Sequence, residues 1–176
     1  LAMCKSREDQ VDLYAMTIAN RRLKRMTRGK AVESSPCWAP AGDRICFVSD
    51  VAGRPQLYIM NAQGGRPRRL LSTAAESVSP DWAPDGHAVC FAMKTAGRYA
   101  IATVEHKNGA WGDPRIVTQA TGDWEAPSWA PDSRHLVCTR QQNGRRSLYI
   151  VDTRTGHAAQ ITEPGRLSLP SWSGRL

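Results

Sequence analysis

Pro80-Asp81-Trp82-Ala83-Pro84-Asp85-Gly86, running on into Val89-Cys90-Phe91-Ala92, is the stretch whose reading decides the fold. A Pro-Asp-Gly turn joins a tryptophan-bearing segment to a short apolar run, and that run is too short for a helix and apolar on both alternating faces. Such a run is a strand covered on two sides. The same unit recurs as Pro36-Cys37-Trp38-Ala39-Pro40, Pro127-Ser128-Trp129-Ala130-Pro131 and Pro170-Ser171-Trp172-Ser173, with tryptophans 44, 47 and 43 residues apart. That period is the length of one four-stranded propeller blade.

Working outward, the apolar runs Ile45-Cys46-Phe47-Val48 and Leu136-Val137-Cys138 occupy the same place in their units. A small residue stands mid-run between larger neighbours, so adjacent blades interdigitate small against large. Turns at Ala52-Gly53-Arg54, Ala96-Gly97-Arg98 and Asn143-Gly144-Arg145 lead to third strands at Leu57–Met60, Ile101–Val104 and Leu148–Val151. Glycine supplies the positive φ of a short hairpin. Fourth strands follow around Arg69-Leu70, Ile116-Val117 and Gln160-Ile161. Leu1-Ala2-Met3-Cys4 aligns on Ile45 to Val48, Leu13 to Met16 aligns on Leu57 to Met60, and Leu23 to Thr27 supplies a fourth strand, while Leu169 to Trp172 offers only a first strand.

The expectation is an all-β chain, residues 1–176 forming one β-propeller domain of four-stranded antiparallel blades. Three blades are intact (34–72, 78–119 and 125–163), and one is split between the termini (1–30 with 167–174). Pairing of 1–4 with 169–172 would close the chain into a four-bladed ring; without it the blades are an arc of a larger one.

The net charge of +8 admits nucleic acid, an anionic membrane face or an acidic protein partner. Arg21, Arg22, Lys24, Arg25, Arg28 and Lys30, with Arg66, Arg68 and Arg69, fall on or beside outermost strands, where charge protects an open edge. No aromatic residue interleaves them to stack bases, so nucleic acid is not the expected partner. No apolar stretch reaches the length of a membrane span. The chain starts at Leu1 without the segments of a secretory leader, which, lacking an initiator Met, says nothing of export. Five cysteines show no C-x-x-C pair and read as small buried residues. His87, His106, His135 and His157 map to hairpins on one rim, away from the channel mouth, so neither a metal nor any other cofactor is expected. The motifs G-x-S-x-G and H-E-x-x-H are missing, and no catalytic residue is assigned.

The periodic tryptophans read as blade-packing anchors, whereas Trp111 and Trp124 stand off the repeat and read as loop residues. Loops joining each fourth strand to the next first strand (29–35, 73–79, 121–126 and 164–169) gather at one channel mouth, where a rigid scaffold presents binding residues. The candidate contact residues there are Ser34, Ser35, Glu76, Ser79, Asp123, Trp124, Glu125 and Arg166.

Blades of this form, the stretch Ala-Gly-Arg-Pro-Gln-Leu-Tyr-Ile-Met-Asn-Ala-Gln-Gly-Gly-Arg-Pro-Arg-Arg-Leu at 52–70, and the ending Leu-Pro-Ser-Trp-Ser-Gly-Arg-Leu resemble the propeller of the TolB family. The resemblance covers essentially the whole chain. It implies a six-bladed ring, of which about two blades and a smaller α/β domain would lie upstream of Leu1, and a homo-oligomer is the outcome if an incomplete ring is covered by another copy. It also implies a non-enzymatic periplasmic module of the Tol-Pal system. Such a module binds a Pal-like peptidoglycan-associated lipoprotein and other Tol proteins at the channel mouth and supports outer-membrane integrity and cell division. Ser34-Ser35 stands where the family has Thr-Glu before Pro-x-Trp, with Ser35 replacing the acid. Related repeats occur in peptidase and lyase propellers, so the second reading is the gating or catalytic propeller of a prolyl-oligopeptidase-like peptidase or a sugar lyase.

Overall fold

The structure, a computed structural model, describes residues 1–7, 10–119 and 121–173. The first sheet holds β1 (Ala2–Arg7), β2 (Gln10–Thr17) and β3 (Arg22–Arg25). The second holds β4 (Glu33–Trp38), β5 (Arg44–Ser49), β6 (Gln56–Asn61) and β7 (Arg68–Arg69). In the third, β8 (Ser77–Trp82), β9 (Ala88–Thr95) and β10 (Arg98–Lys107) are followed by the short β11 (Ala110–Trp111) and β12 (Arg115–Ile116), both paired with β10. The fourth runs β13 (Asp123–Trp129), β14 (His135–Gln142), β15 (Arg145–Asp152) and β16 (Ala158–Gln160). Every sheet is antiparallel, and consecutive strands are neighbours except β11 and β12.

One register serves all four sheets. Phe47 lies opposite Tyr58, Phe91 opposite Ala102, Cys138 opposite Tyr149 and Met3 opposite Tyr14. Successive side chains of a strand point to opposite faces, so each second strand feeds two cores. Ile45 and Phe47 join Leu13, Met26 and Met60 between the first and second sheets, while Cys46 and Val48 turn the other way to meet Trp82, Val89 and Phe91 of the third. Cys90 and Ala92 leave the third sheet to pack with Trp124, Trp129 and Leu136 of the fourth. Small residues thus meet large ones across each junction. Full burial of Phe47 or Phe91 contributes about 1.5–3 kcal/mol apiece, which sets these junctions as the main stabilising element. The chain is a four-sheet arc of a β-propeller.

Each first strand carries one extra residue. The pairing jumps from Ser34↔Val48 to Cys37↔Cys46, from Val78↔Ala92 to Asp81↔Cys90, and from Glu125↔Thr139 to Ser128↔Val137. In every case the residue before the repeat proline has positive φ: 48° at Ser35, 53° at Ser79 and 50° at Ala126. Proline disfavours the right-handed region for its predecessor, and the left-handed conformation found at each of these residues coincides with the bend of a β-bulge.

The closing strand does not form. Residues 169–172 belong to no strand, and Leu1 pairs only with Met16, its amino group donating to the Met16 carbonyl at 3.0 Å. The pairing of 1–4 with 169–172 that a self-closed four-bladed ring requires is not made among the described residues, which leaves the arc of a larger ring; position 174 of that segment lies outside them. Leu169 nevertheless keeps the repeat dihedral, φ 53°, and stands 78% exposed. The local sequence sets the bend, but a ladder needs a partner strand beside it.

Candidate functional site

Antiparallel pairing puts the start of each first strand, the end of the second and the start of the third at one end of the sheet. The channel mouth is therefore built from the turns between second and third strands as well as from the loops between sheets. Ser34 and Ser35 in β4, Ser79 in β8, and Asp123, Trp124 and Glu125 in β13 prove to be strand residues rather than loop residues, because the strands begin before the bulge. Glu76 lies in the loop preceding β8, and Arg166 follows Gly165, which is bridged to Arg146.

Three of the candidates come together across the third and fourth sheets. The Tyr99 hydroxyl donates a short hydrogen bond to Glu76 Oε1, while Lys94 Nζ meets Glu76 Oε2 at 3.2 Å. The Tyr99 backbone N–H donates to Asp123 Oδ1 at 3.0 Å, and Arg146 pairs with Glu125 at 3.6 Å. Hydrogen bonds from Tyr99 and Lys94 hold the Glu76 carboxyl below its ordinary value. Burial, the bond to Glu76 and the charges of Glu76, Glu125 and Asp123 push the Tyr99 phenol up to about 12, so it keeps its proton and remains a donor. The result is a preorganised belt of three carboxylates clasped by Lys94, Tyr99 and Arg146. Half-buried Ser34 and exposed Ser35 stand apart on the second sheet. Lys94, Tyr99 and Arg146 escaped the sequence reading, which counted only the loops between sheets; strand parity would have placed them at the same end.

Trp124 is not a contact residue. Its side chain is 2% exposed, its indole N–H donates to the Gln119 carbonyl at 3.1 Å, its ring meets Tyr149 edge-on at 5.0 Å, and the Arg140 guanidinium lies 5.3 Å from it. An indole of this size is worth most when buried, and β13 carries it into the junction with the third sheet. Trp111 is likewise corrected from a loop to β11, where it packs edge-on against Trp82 at 5.6 Å. Of the periodic tryptophans, Trp82 and Trp129 are buried as anchors, whereas Trp172 is 36% exposed. The five cysteines are free.

No group of three or more metal-ligating side chains occurs among the described residues. Nor is any helix long and apolar enough to cross a membrane.

The whole chain, residues 1–176, matches the family described as the TolB beta propeller domain. This chain belongs to that family. The propeller superposes on TolB from Acinetobacter baumannii with a TM-score of 0.85 at 23% identity, over 99% of this chain and 43% of that one. With TolB from Agrobacterium tumefaciens, described as putative, the TM-score is 0.77 at 18% identity, over 92% and 58%. A puromycin-hydrolyzing peptidase from Mycobacterium tuberculosis matches with a TM-score of 0.68 at 16% identity, over 85% of this chain and 24% of that enzyme. At these identities the likeness shows the shared fold. The chain spans less than two thirds of the length of the TolB structures it matches.

Proposed function

We propose that this chain is a non-enzymatic, periplasmic protein-interaction module whose channel mouth binds a Pal-like peptidoglycan-associated lipoprotein. In that role it works with other Tol proteins in outer-membrane integrity and cell division. The observation that carries the reading is the belt of Glu76, Asp123 and Glu125, fixed before any partner arrives by Tyr99, Lys94 and Arg146. Preorganised polar groups on a rigid scaffold lose little conformational freedom on binding, which is what a docking surface requires. Arg166, next to the bridge at Gly165, and the serines of the neighbouring first strands extend the surface. Trp124 supports it from beneath.

The test is a calorimetric titration of the soluble domain of a Pal-like lipoprotein against the wild-type chain and Glu76→Lys. Reversing this charge removes the acceptor of Tyr99 and repels Lys94, and at least a tenfold loss of affinity is expected. An unchanged affinity in a variant with the wild-type circular dichroism spectrum would remove the belt from the site.

A further inference from the structure

The second and fourth sheets align without a gap at an offset of 91 residues, and the junction each makes with the preceding sheet differs at two positions that matter. In the fourth sheet Gln119, Thr121, Trp124, Arg140, Tyr149 and His157 line a cleft of about 170 Å³. Their counterparts 91 positions earlier, Arg28, Lys30, Glu33, Ser49, Tyr58 and Arg66, line a cavity of about 560 Å³. Glu33 replaces the indole of Trp124, and Ser49 replaces the Arg140 guanidinium that lies over it. Both replacements are smaller, so the space that the fourth sheet fills with its own aromatic residue is open in the second.

The open cavity has a chemical character of its own. Its walls include the buried Met26 and Phe47 and the ring of Tyr58. On its floor Glu33 is 7% exposed, and its Oε2 has no hydrogen-bond partner. A buried acceptor left empty costs free energy that a ligand donor recovers. Arg28, Lys30 and Arg66 stand exposed at the rim.

We propose that this junction is a receptor for an aromatic side chain with a ring N–H, a tryptophan on an acidic segment of a partner protein. The ring takes the place that Trp124 fills in the fourth sheet, its N–H donates to Glu33, and the flanking acids meet Arg28, Lys30 and Arg66. The cavity lies between the first and second sheets, apart from the belt of the third and fourth, and the inference does not rest on which protein docks at that belt.

The probe is a blocked pentapeptide, Asp-Glu-Trp-Glu-Asp, titrated into the full chain beside the same peptide with alanine in place of tryptophan. At least tenfold tighter binding of the tryptophan peptide is expected, weakening as salt is added. E33W and S49R separately introduce the residues of the fourth sheet; each should reduce that binding at least tenfold, and either one suffices if the other fails to fold. Equal binding of the two peptides, or undiminished binding to a folded variant, overturns the proposal by assigning the affinity to general charge attraction. Self-association of the wild type that E33W abolishes overturns it too, placing a second copy of the chain in the cavity.

Discussion

The junction between the third and fourth sheets and that between the first and second come from one repeat and are finished in opposite ways. Across the former, Asp81 accepts the Trp129 backbone N–H at 2.8 Å through its carboxylate and the indole N–H at 3.2 Å through its carbonyl. The Asp85 N–H reaches Ser133 Oγ at 3.1 Å, Arg115 donates to the Thr153 carbonyl at 2.9 Å, and Trp124 fills the remaining cleft. Across the latter, a buried carboxylate faces a cavity, and the sheets are joined by a bridge between Val11 and Val32 and by the exposed Lys24 Nζ bonded to the Gln63 carbonyl at 2.5 Å. The register of the second and third strands is the same in both. The repeat dictates the backbone, and two side-chain positions decide whether a junction is sealed or left open for an occupant.

The seal is broken most severely at Trp124. Trp124→Ala removes a 2%-exposed indole whose surroundings are held by β13 and β15 and cannot collapse onto the space. A loss of about 3–5 kcal/mol is expected in a urea unfolding titration. A loss below 1 kcal/mol would show that the indole is not part of the seal and that the two junctions are alike.

Asp81→Ala is the next largest. Burial raises the Asp81 carboxyl above its ordinary value, against hydrogen bonds from Trp129, Ser128 and Trp82 that favour the charge. Truncation leaves the Trp129 backbone donor buried without its acceptor, at a cost of about 2–3 kcal/mol. The same measurement on Asp85→Ala, whose side chain is exposed, provides the baseline. Equal losses in the two variants would mean that Asp81 does not bind the third sheet to the fourth.

The propeller was legible because its signal is periodic: Trp38, Trp82 and Trp129 mark the junctions, and the apolar runs after them fix the register. Trp124 reads as a loop residue because it stands off the tryptophan repeat, and the bulge at Ala126 breaks the two-residue alternation between it and Trp129 that would otherwise show its face. Nothing in Ser35, Ser79 or Ala126 announces a positive φ as a glycine would. The gap-free alignment at an offset of 91 residues, which sets Trp124 on Glu33 ahead of the Pro-x-Trp unit, is the available correction. The closing strand failed for another reason. Leu169 carries the right local dihedral, and strand formation depends on a neighbouring edge that no local pattern encodes.

The gentlest probe of the comparison is pH. Burial pushes the Glu33 carboxyl from 4.5 up to about 7, with the Ser49 hydrogen bond opposing and the Asp12 and Asp50 carboxylates adding to the rise. Asp12, itself buried, is paired with Arg25 at 2.5 Å, and Asp50 accepts the Val32 N–H at 2.7 Å, so both stay committed elsewhere. Cys4 on the other side is pushed up to about 11 by burial and by Glu33, and remains a neutral thiol, while Arg28, Lys30 and Arg66 reach the cavity only at its exposed rim. Because the folded chain holds this proton more tightly than the unfolded one, the contribution of Glu33 to stability is complete below about 4.5 and is lost as the pH rises through about 7. Glu33→Gln removes that dependence. The variant should match the wild type at pH 4 and exceed it at pH 8 by roughly 2 kcal/mol, the shift converted at about 1.4 kcal/mol per unit and reduced for solvent screening, read from urea titrations at the two pH values. The matching pair is Trp124→Phe in the sealed junction, whose cost should be the same at both pH values because neither side chain titrates. A pH-independent difference for Glu33→Gln would mean that the second sheet hides no strained carboxylate, and the contrast between a sealed and an open junction would then rest on cavity volume alone.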